Sequence, residues 1–251
     1  MINFNKLLQE EKRRALAEAN KKNAASNNNN NVNKDNNKDN LIEEKHEEKV
    51  ELYIDLNSYV FDINGCDIAS KNRVTQSSIK GIYYIDDFID EQMESTILKN
   101  VYSDENQSKW TQLKRRRLQN WGGNPSSDGM LLETLPSWLD RICESIFKQS
   151  ILPKKPNHVL LNEYQYDQGI MPHKDGPLFY PCVTILSLGS TCLIDFYKSI
   201  GEDPVESLLL KPRSLLIFTD EAYKNYYHGI KECFTDNRTK DYKKPIIINQ
   251  H

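Results

Sequence analysis

The sequence lacks both paired cysteines and long hydrophobic runs. Its 251 residues include five scattered cysteines and no Cys-x-x-Cys pair, which argues against a disulfide framework or a zinc knuckle and is typical of a reducing compartment. No apolar stretch approaches the roughly 20 residues that a membrane-spanning helix needs. The first residues also have no secretory signal pattern. We therefore expect a protein of the cytoplasm and nucleus that has no membrane partner.

A large excess of charge of either sign is also missing. The formal net charge is -3, which argues against a protein that coats nucleic acid, although it is compatible with a local basic patch. A chain of this length can bury one good core. We therefore expect a single domain that follows a tail and that exists as a monomer.

Residues 1–48 contain little that could be buried. Residues 7–22 are mostly good helix formers with few apolar positions, which predicts only a marginal, solvated helix. Residues 23–40 form an asparagine-rich tract that we expect to be disordered, the alternative being a partner-binding or targeting tail. The domain is therefore expected over residues 49–251, with a first strand or hairpin at 50–63.

Hydrophobic periodicity predicts two helices followed by many short strands. Apolar residues recur every four positions over 89–102, and a second amphipathic face covers 135–149. A strand is predicted at 80–85, before the helices. From residue 157 onward strands dominate, separated by Gly, Pro and Asp. This order is typical of an α+β chain with a jelly-roll double sheet.

Three residues near predicted strand ends form a candidate metal site. His173 and Asp175 are separated by one residue, and His228 follows the apolar run 214–218. Because alternate side chains of an extended segment point the same way, His-x-Asp can direct two ligands at one ion. Two imidazoles and a carboxylate on one face of a non-haem iron leave the other face open for a co-substrate and oxygen. Such a pair also arises by chance, and the alternative is a turn with an exposed Asp and a His bonded to backbone.

Several segments of the chain resemble the AlkB-type iron(II)/2-oxoglutarate dioxygenases. The most specific are YYIDDFI at 83–89, LQNWGG at 118–123 and GIMPHKDGPL at 169–178. Together the matching segments cover about two thirds of the chain in the right order, which is more specific than any single motif. The others lie at 109–113, 135–139, 157–160, 187–190, 195–197 and 228–230.

The resemblance implies a fold and a cofactor set. The fold is a double-stranded β-helix, or jelly-roll, core at 157–251 with flanking N-terminal helices. The metal is iron(II), held by His173, Asp175 and His228, and the co-substrates are 2-oxoglutarate and O2. Asn162 and Tyr164 match the Asn-x-Tyr of the family, which implies contact with 2-oxoglutarate. Their spacing places both side chains on one face of a strand.

The chain departs from the family after the distal histidine. Family members carry Arg-x-Ser-x-Thr-x-Arg on a later core strand, and its first Arg binds the far carboxylate of 2-oxoglutarate. After His228 this chain has only Arg238, followed by the apolar residues 246–248. Three explanations are open. In the first, the chain stops before the final core strand. In the second, Arg238 or a lysine such as Lys243 replaces the missing arginine, and residues 246–248 form the closing strand. In the third, the protein keeps the fold but has lost turnover.

Residues 109–129 combine basic and aromatic side chains. Cations can neutralise phosphates and an indole can stack on a base, but the residues alone favour a solvated basic loop with two structural Trp. The resemblance implies instead a substrate-recognition lid. The predicted substrate contacts are Trp110, Lys114, Arg115, Arg116, Arg117, Trp121 and, after the predicted iron ligands, Tyr180.

The function implied by the resemblance is oxidative hydroxylation or dealkylation of alkylated bases in DNA or RNA. One alternative is an AlkB-like nucleic-acid binding protein with impaired catalysis. A second is a protein hydroxylase with the same core, since the iron chemistry does not identify the substrate. A third is a cupin-like barrel that holds a different metal.

Overall fold

A computed structural model describes residues 77–126, 129–148 and 152–232 and the strand at 246–250. The tail at 1–48 and the strand or hairpin predicted at 50–63 lie outside these residues, as do Arg238 and Lys243. The described elements are β1 (Ile82–Ile85), α1 (Glu91–Tyr102), a 3₁₀ turn (Asp104–Lys109), β2 (Trp110–Gln112), β3 (Arg117–Trp121), β4 (Gly123–Ser126), β5 (Gly129–Leu132), α2 (Ser137–Phe147), β6 (Val159–Glu163), β7 (Ile170–His173), β8 (Cys182–Leu188), β9 (Cys192–Tyr197), β10 (Glu206–Leu210), β11 (Leu215–Thr219), α3 (Asp220–Asn225), β12 (Tyr227–Ile230) and β13 (Ile246–Gln250).

Two antiparallel sheets form the core. The larger has the strand order β1-β11-β8-β13-β6-β3-β2, and the smaller has the order β10-β9-β12-β7. A separate hairpin, β4-β5, follows β3. Strands that are distant in sequence are therefore neighbours in space, as in a jelly roll. The predicted α+β fold with a double-stranded β-helix core is confirmed.

The large sheet is covered on both faces, which explains its unbroken apolar strands. On one face, Leu161 and Leu186 pack with Ile97 of α1 and Ile142 of α2. On the opposite face, alternate residues of the same strands, such as Leu160 and Ile185, pack with residues of the smaller sheet. The second of these clusters lies between the sheets and borders the residues that the sequence predicts to be functional.

Both predicted helices are present, each slightly shorter than its periodicity suggested. Asp90 precedes α1 and its carboxylate accepts a hydrogen bond from the backbone N–H of Met93 at 2.7 Å, so the helix begins after this cap. Pro136 occupies the corresponding position before α2, where its fixed backbone angle suits a helix start. Within the described part of the chain, no helix is long and apolar enough to cross a membrane.

A closing strand is present in the core. β13 pairs with β6 on one side and with β8 on the other, so that Ile247 lies opposite both Asn162 and Ser187. Residues 246–248 therefore lie in a closing strand, as the second explanation proposes. The strand exists, but its sequence is Ile-Ile-Ile-Asn-Gln, with no arginine.

Candidate metal and co-substrate site

The structure brings the three predicted iron ligands together. His173 ends β7, and His228 lies opposite it in the neighbouring strand β12. Their ring centres are 4.4 Å apart. Asp175 follows two residues after His173, and one ligand atom from each of the three side chains lies within 4.8 Å of the others. Strand pairing thus supplies the second histidine from a site 55 residues further along the chain.

Hydrogen bonding and burial prepare these groups to bind a cation. The ring Nδ1 of His173 lies 2.9 Å from the carbonyl oxygen of Met171. This contact favours the tautomer that has its hydrogen on Nδ1, in which Nε2 is the ligand atom. The side chain of Asp175 is only 5% exposed, and its Oδ2 is 3.7 Å from Nε2 of His228. That oxygen is buried and has no hydrogen-bond partner among the described residues.

The electrostatics of the site fit a divalent metal. Burial raises the pKa of Asp175 to about 7 and lowers the pKa of His173 to about 4. Near neutral pH the imidazole is therefore uncharged, and ionisation of the carboxyl group carries a cost that a nearby cation would remove. Two nitrogen donors and one carboxylate are also the donor set of non-haem iron(II) oxygenases. The residues present thus suit iron(II) in charge and in donor type.

In the metal-free protein, we expect Asp175→Asn to increase stability at pH 8. The pKa of Asp175 rises from 3.8 to about 7 on folding, so wild-type stability is lost as the pH rises through this interval. Since one pKa unit corresponds to about 1.4 kcal/mol, the loss is at most about 4 kcal/mol, and the neutral amide avoids it. Urea unfolding in a chelator at pH 8 and at pH 4 measures this difference.

The control for this prediction is Asp203→Asn, which changes an exposed aspartate in the turn between β9 and β10. This variant should follow the wild type at both pH values. The gap between Asp175→Asn and the wild type should close at pH 4, and a divalent metal should stabilise the wild type more than the variant. An equal pH dependence of the wild type and Asp175→Asn would contradict the prediction.

The predicted 2-oxoglutarate residues face the interior between the sheets. Asn162 and Tyr164 are both buried. Tyr164 belongs to the cluster between the two sheets, together with Ile170 of β7 and Phe196 of β9. Because Asn162 lies two residues before Tyr164, its side chain shares this face. The amide and the phenol therefore point toward the sheet that carries the two histidines.

The four basic residues at 114–117, just before and at the start of β3, have different surroundings in the structure. Lys114 is exposed. Arg115 forms an ion pair with Glu232, with 3.2 Å between Nε and Oε2. Arg117 forms an ion pair with the buried carboxylate of Glu163. Of these three predicted phosphate contacts, Arg115 and Arg117 thus form ion pairs with carboxylates.

Arg116 and Trp121, two of the predicted substrate contacts, are buried. Arg116 is 0% exposed, and its Nε donates a hydrogen bond to Oδ1 of Asn162 at 2.9 Å. Trp121 packs edge-on against Trp138 at 6.4 Å between ring centres, inside the core beneath the helices. Neither side chain is at the surface, where a phosphate or base would arrive. Trp110 is half-buried, and its predicted contact with substrate stays a prediction.

A cavity of about 210 Å³ lies beside the loop that follows the metal ligands. Phe179 and Tyr180 of this loop line it, together with Lys154, whose Nζ is 5.9 Å from the centre of the Tyr180 ring. His158 also lines it, and burial lowers the pKa of this histidine to about 4. Tyr180 was predicted from the sequence as a substrate contact, whereas Lys154 was not. The only sequence feature that could have indicated Lys154 is the Lys-Lys pair between two prolines just before β6.

Comparisons with known proteins agree with this geometry. Residues 81–245 match the family described as the 2OG-Fe(II) oxygenase superfamily. The "Probable RNA/DNA demethylase ALKBH6" of Danio rerio is 46% identical over 167 residues, which cover 62% of this chain and 71% of that one. The "tRNA (carboxymethyluridine(34)-5-O)-methyltransferase alkbh8" of Xenopus tropicalis is 28% identical, over 65% of this chain but only 27% of its own length.

A solved structure supports the fold. "The structure of OsALKBH1" superposes with a TM-score of 0.53 at 15% identity and covers 68% of this chain and 96% of that one. The predicted resemblance to AlkB-type dioxygenases is confirmed, and the relative at 46% identity is an AlkB homologue six. The chain therefore belongs to the 2OG-Fe(II) oxygenase superfamily, as an AlkB-type dioxygenase.

Proposed function

We propose that this protein is an iron(II)- and 2-oxoglutarate-dependent dioxygenase that removes alkyl groups from nucleic-acid bases. The observation that carries the proposal is the cluster of His173, Asp175 and His228, whose ligand atoms lie within 4.8 Å of one another inside an oxygenase fold. The nucleic-acid substrate is supported by the relatives, one named as a probable RNA/DNA demethylase and another as a tRNA-modifying enzyme.

The chain's own residues would hold the reactants and exclude water. His173, Asp175 and His228 would bind iron(II) from one side. Asn162 and Tyr164 would hydrogen-bond to the oxygens of 2-oxoglutarate. Bound iron, 2-oxoglutarate and O2 together supply the oxidising power that hydroxylates a C–H bond, and an N-hydroxymethyl product then loses formaldehyde. Because the side chains of these three residues are almost fully buried, they would keep this chemistry away from bulk water.

The cavity beside the metal-ligand loop is the place that we propose for the base. Phe179 and Tyr180 offer aromatic faces for stacking, and Lys154 offers a positive charge for a phosphate. Arg117 and Trp110 form a second aromatic and basic surface on β2 and β3. The guanidinium carbon of Arg117 lies 4.3 Å from the centre of the Trp110 ring. We also propose that residues 109–129 act as the lid, within a domain at 49–251 that works as a monomer in the cytoplasm and nucleus.

The test is 2-oxoglutarate turnover by the full chain with iron(II) and oligonucleotides. We expect succinate formation to increase several-fold with N-methylated oligonucleotides over unmethylated ones, with formaldehyde formed in equal amount to the stimulated succinate. Stimulation by peptides alone would favour a protein hydroxylase. Bound iron and bound oligonucleotide without succinate would favour the binding protein with impaired catalysis. Either result would overturn the proposal.

A further inference from the structure

We propose that Arg116 is the cation that binds the far carboxylate of 2-oxoglutarate, in place of an arginine from the closing strand. β13 occupies the position of that strand, but its sequence contains neither Arg nor Lys. Among the residues whose burial the structure describes, Arg116 is the only buried Lys or Arg. The inference rests on the proposed use of 2-oxoglutarate by this site.

Strand register places Arg116 beside the predicted co-substrate residues. β3 pairs with β6 so that Arg117 lies opposite Glu163 and Leu118 opposite Asn162. Continued by one residue, this register sets Arg116 next to Tyr164. Since alternate side chains share a face, Arg116 points to the same side of the sheet as Asn162 and Tyr164. Its hydrogen bond to Asn162 agrees with this orientation.

Arg116 reaches the interior from the β3 side of β6, whereas the family's arginine comes from the closing strand on the other side of β6. In the large sheet β6 lies between β13 and β3. Either neighbour can therefore reach the interior face on which Asn162 and Tyr164 lie. Because the isoleucine-rich strand offers no cation, a guanidinium from the β3 side can supply the charge without a change in the fold. Its planar fork matches both oxygens of a carboxylate.

Backbone hydrogen bonds fix the turn that carries Arg116 beside the start of β7. The N–H of Gly169, directly before β7, donates to the carbonyl oxygen of Arg115 at 3.1 Å. The carbonyl oxygen of Arg116 accepts from the N–H of Leu113 at 2.9 Å. The turn that carries the arginine is thus fixed against the start of the ligand strand.

The adjacent arginine provides a matched control. Arg115 carries the same charge, but its side chain is 42% exposed and pairs with Glu232. Arg116→Gln removes the buried charge and keeps a hydrogen-bonding side chain. Arg115→Gln removes an exposed charge from the next position. A difference between the two variants therefore reports the position of the guanidinium and not the net charge of the protein.

The experiment measures binding, without turnover, to the full-length protein loaded with iron(II) under anaerobic conditions. Calorimetry and the visible absorption of the iron–2-oxoacid complex both report the affinity for 2-oxoglutarate and for pyruvate, which lacks the far carboxylate. We expect Arg116→Gln to weaken 2-oxoglutarate binding by about 10- to 100-fold, since a charge-assisted carboxylate contact is lost. Pyruvate binding should stay within about twofold of the wild type, and Arg115→Gln should bind both ligands normally.

Each other outcome decides against the inference. Normal 2-oxoglutarate binding by Arg116→Gln would overturn it, and a parallel loss in Arg238→Gln would then assign the cation to that residue. An equal loss of 2-oxoglutarate and pyruvate would show a structural role for Arg116. If the iron-loaded wild type bound 2-oxoglutarate no more tightly than pyruvate, no cation would bind the far carboxylate. Failure of the iron-loaded wild type to bind either 2-oxoacid would overturn the proposed function itself.

Discussion

A His173→Ala variant is expected to lose bound iron and at least about 99% of 2-oxoglutarate turnover. Changes to groups that merely orient metal ligands reduce metal affinity or activity by about 10- to 100-fold, and removal of a ligand should cost at least as much. In this chain the loss leaves only Asp175 and His228, which is too few ligands to hold iron(II) firmly. Metal content by mass spectrometry and succinate formation measure the two effects.

The matched control for the metal centre is another buried histidine. His158 lies outside the ligand cluster, with its ring 5.0 Å from that of Phe179. His158→Ala should therefore keep one iron per chain, although its affinity for an oligonucleotide would fall if the cavity binds the base. Thermal unfolding shows that both variants are folded. Full iron content in His173→Ala would place the metal elsewhere and contradict the assignment of the ligands.

The cluster of His173, Asp175 and His228 could be predicted because two of its members are close in sequence. His173 and Asp175 need only an extended segment to point the same way. His228 is distant in sequence, but it follows an apolar run that forms the buried strand β11. Antiparallel pairing of β7 with β12 then places His228 opposite His173. The fold class was accessible for a similar reason. Strands that are buried on both faces appear as short unbroken apolar runs.

The orientation of the basic residues before β3 could not be predicted from their own sequence. Four consecutive cations have no periodicity, so the side that each one faces depends on the register between β3 and β6. That register is set by packing across the whole sheet. It buries Arg116 and directs Arg117 to Glu163. The closing strand was ambiguous for the same reason, since its place depends on β6 and β8.

We expect Gly122→Ala to be strongly destabilising, by about 2–5 kcal/mol in total. Gly122 joins β3 to the hairpin β4-β5 and has φ +87°, a conformation that costs an alanine about 1–2 kcal/mol. A Cβ there would also lie 2.0 Å from the backbone oxygen of Asn157. This contact forces the backbone apart, and such overpacking typically costs about 1–3 kcal/mol more. Urea unfolding measures the sum.

Gly201→Ala separates the two causes. Gly201 has a similar φ of +93°, but no atom lies within 4 Å of the position that its Cβ would take. This variant should lose only about 1–2 kcal/mol of stability, which is the conformational cost alone.

The excess loss of stability in Gly122→Ala then measures the close approach of the β3–β4 turn to Asn157, which directly precedes His158 in the wall of the cavity. Equal losses in the two variants would show that this approach does not constrain the chain. A real excess would mean that Gly122 positions the hairpin of the proposed lid against the cavity, so oligonucleotide binding should weaken in the same variant while iron binding persists.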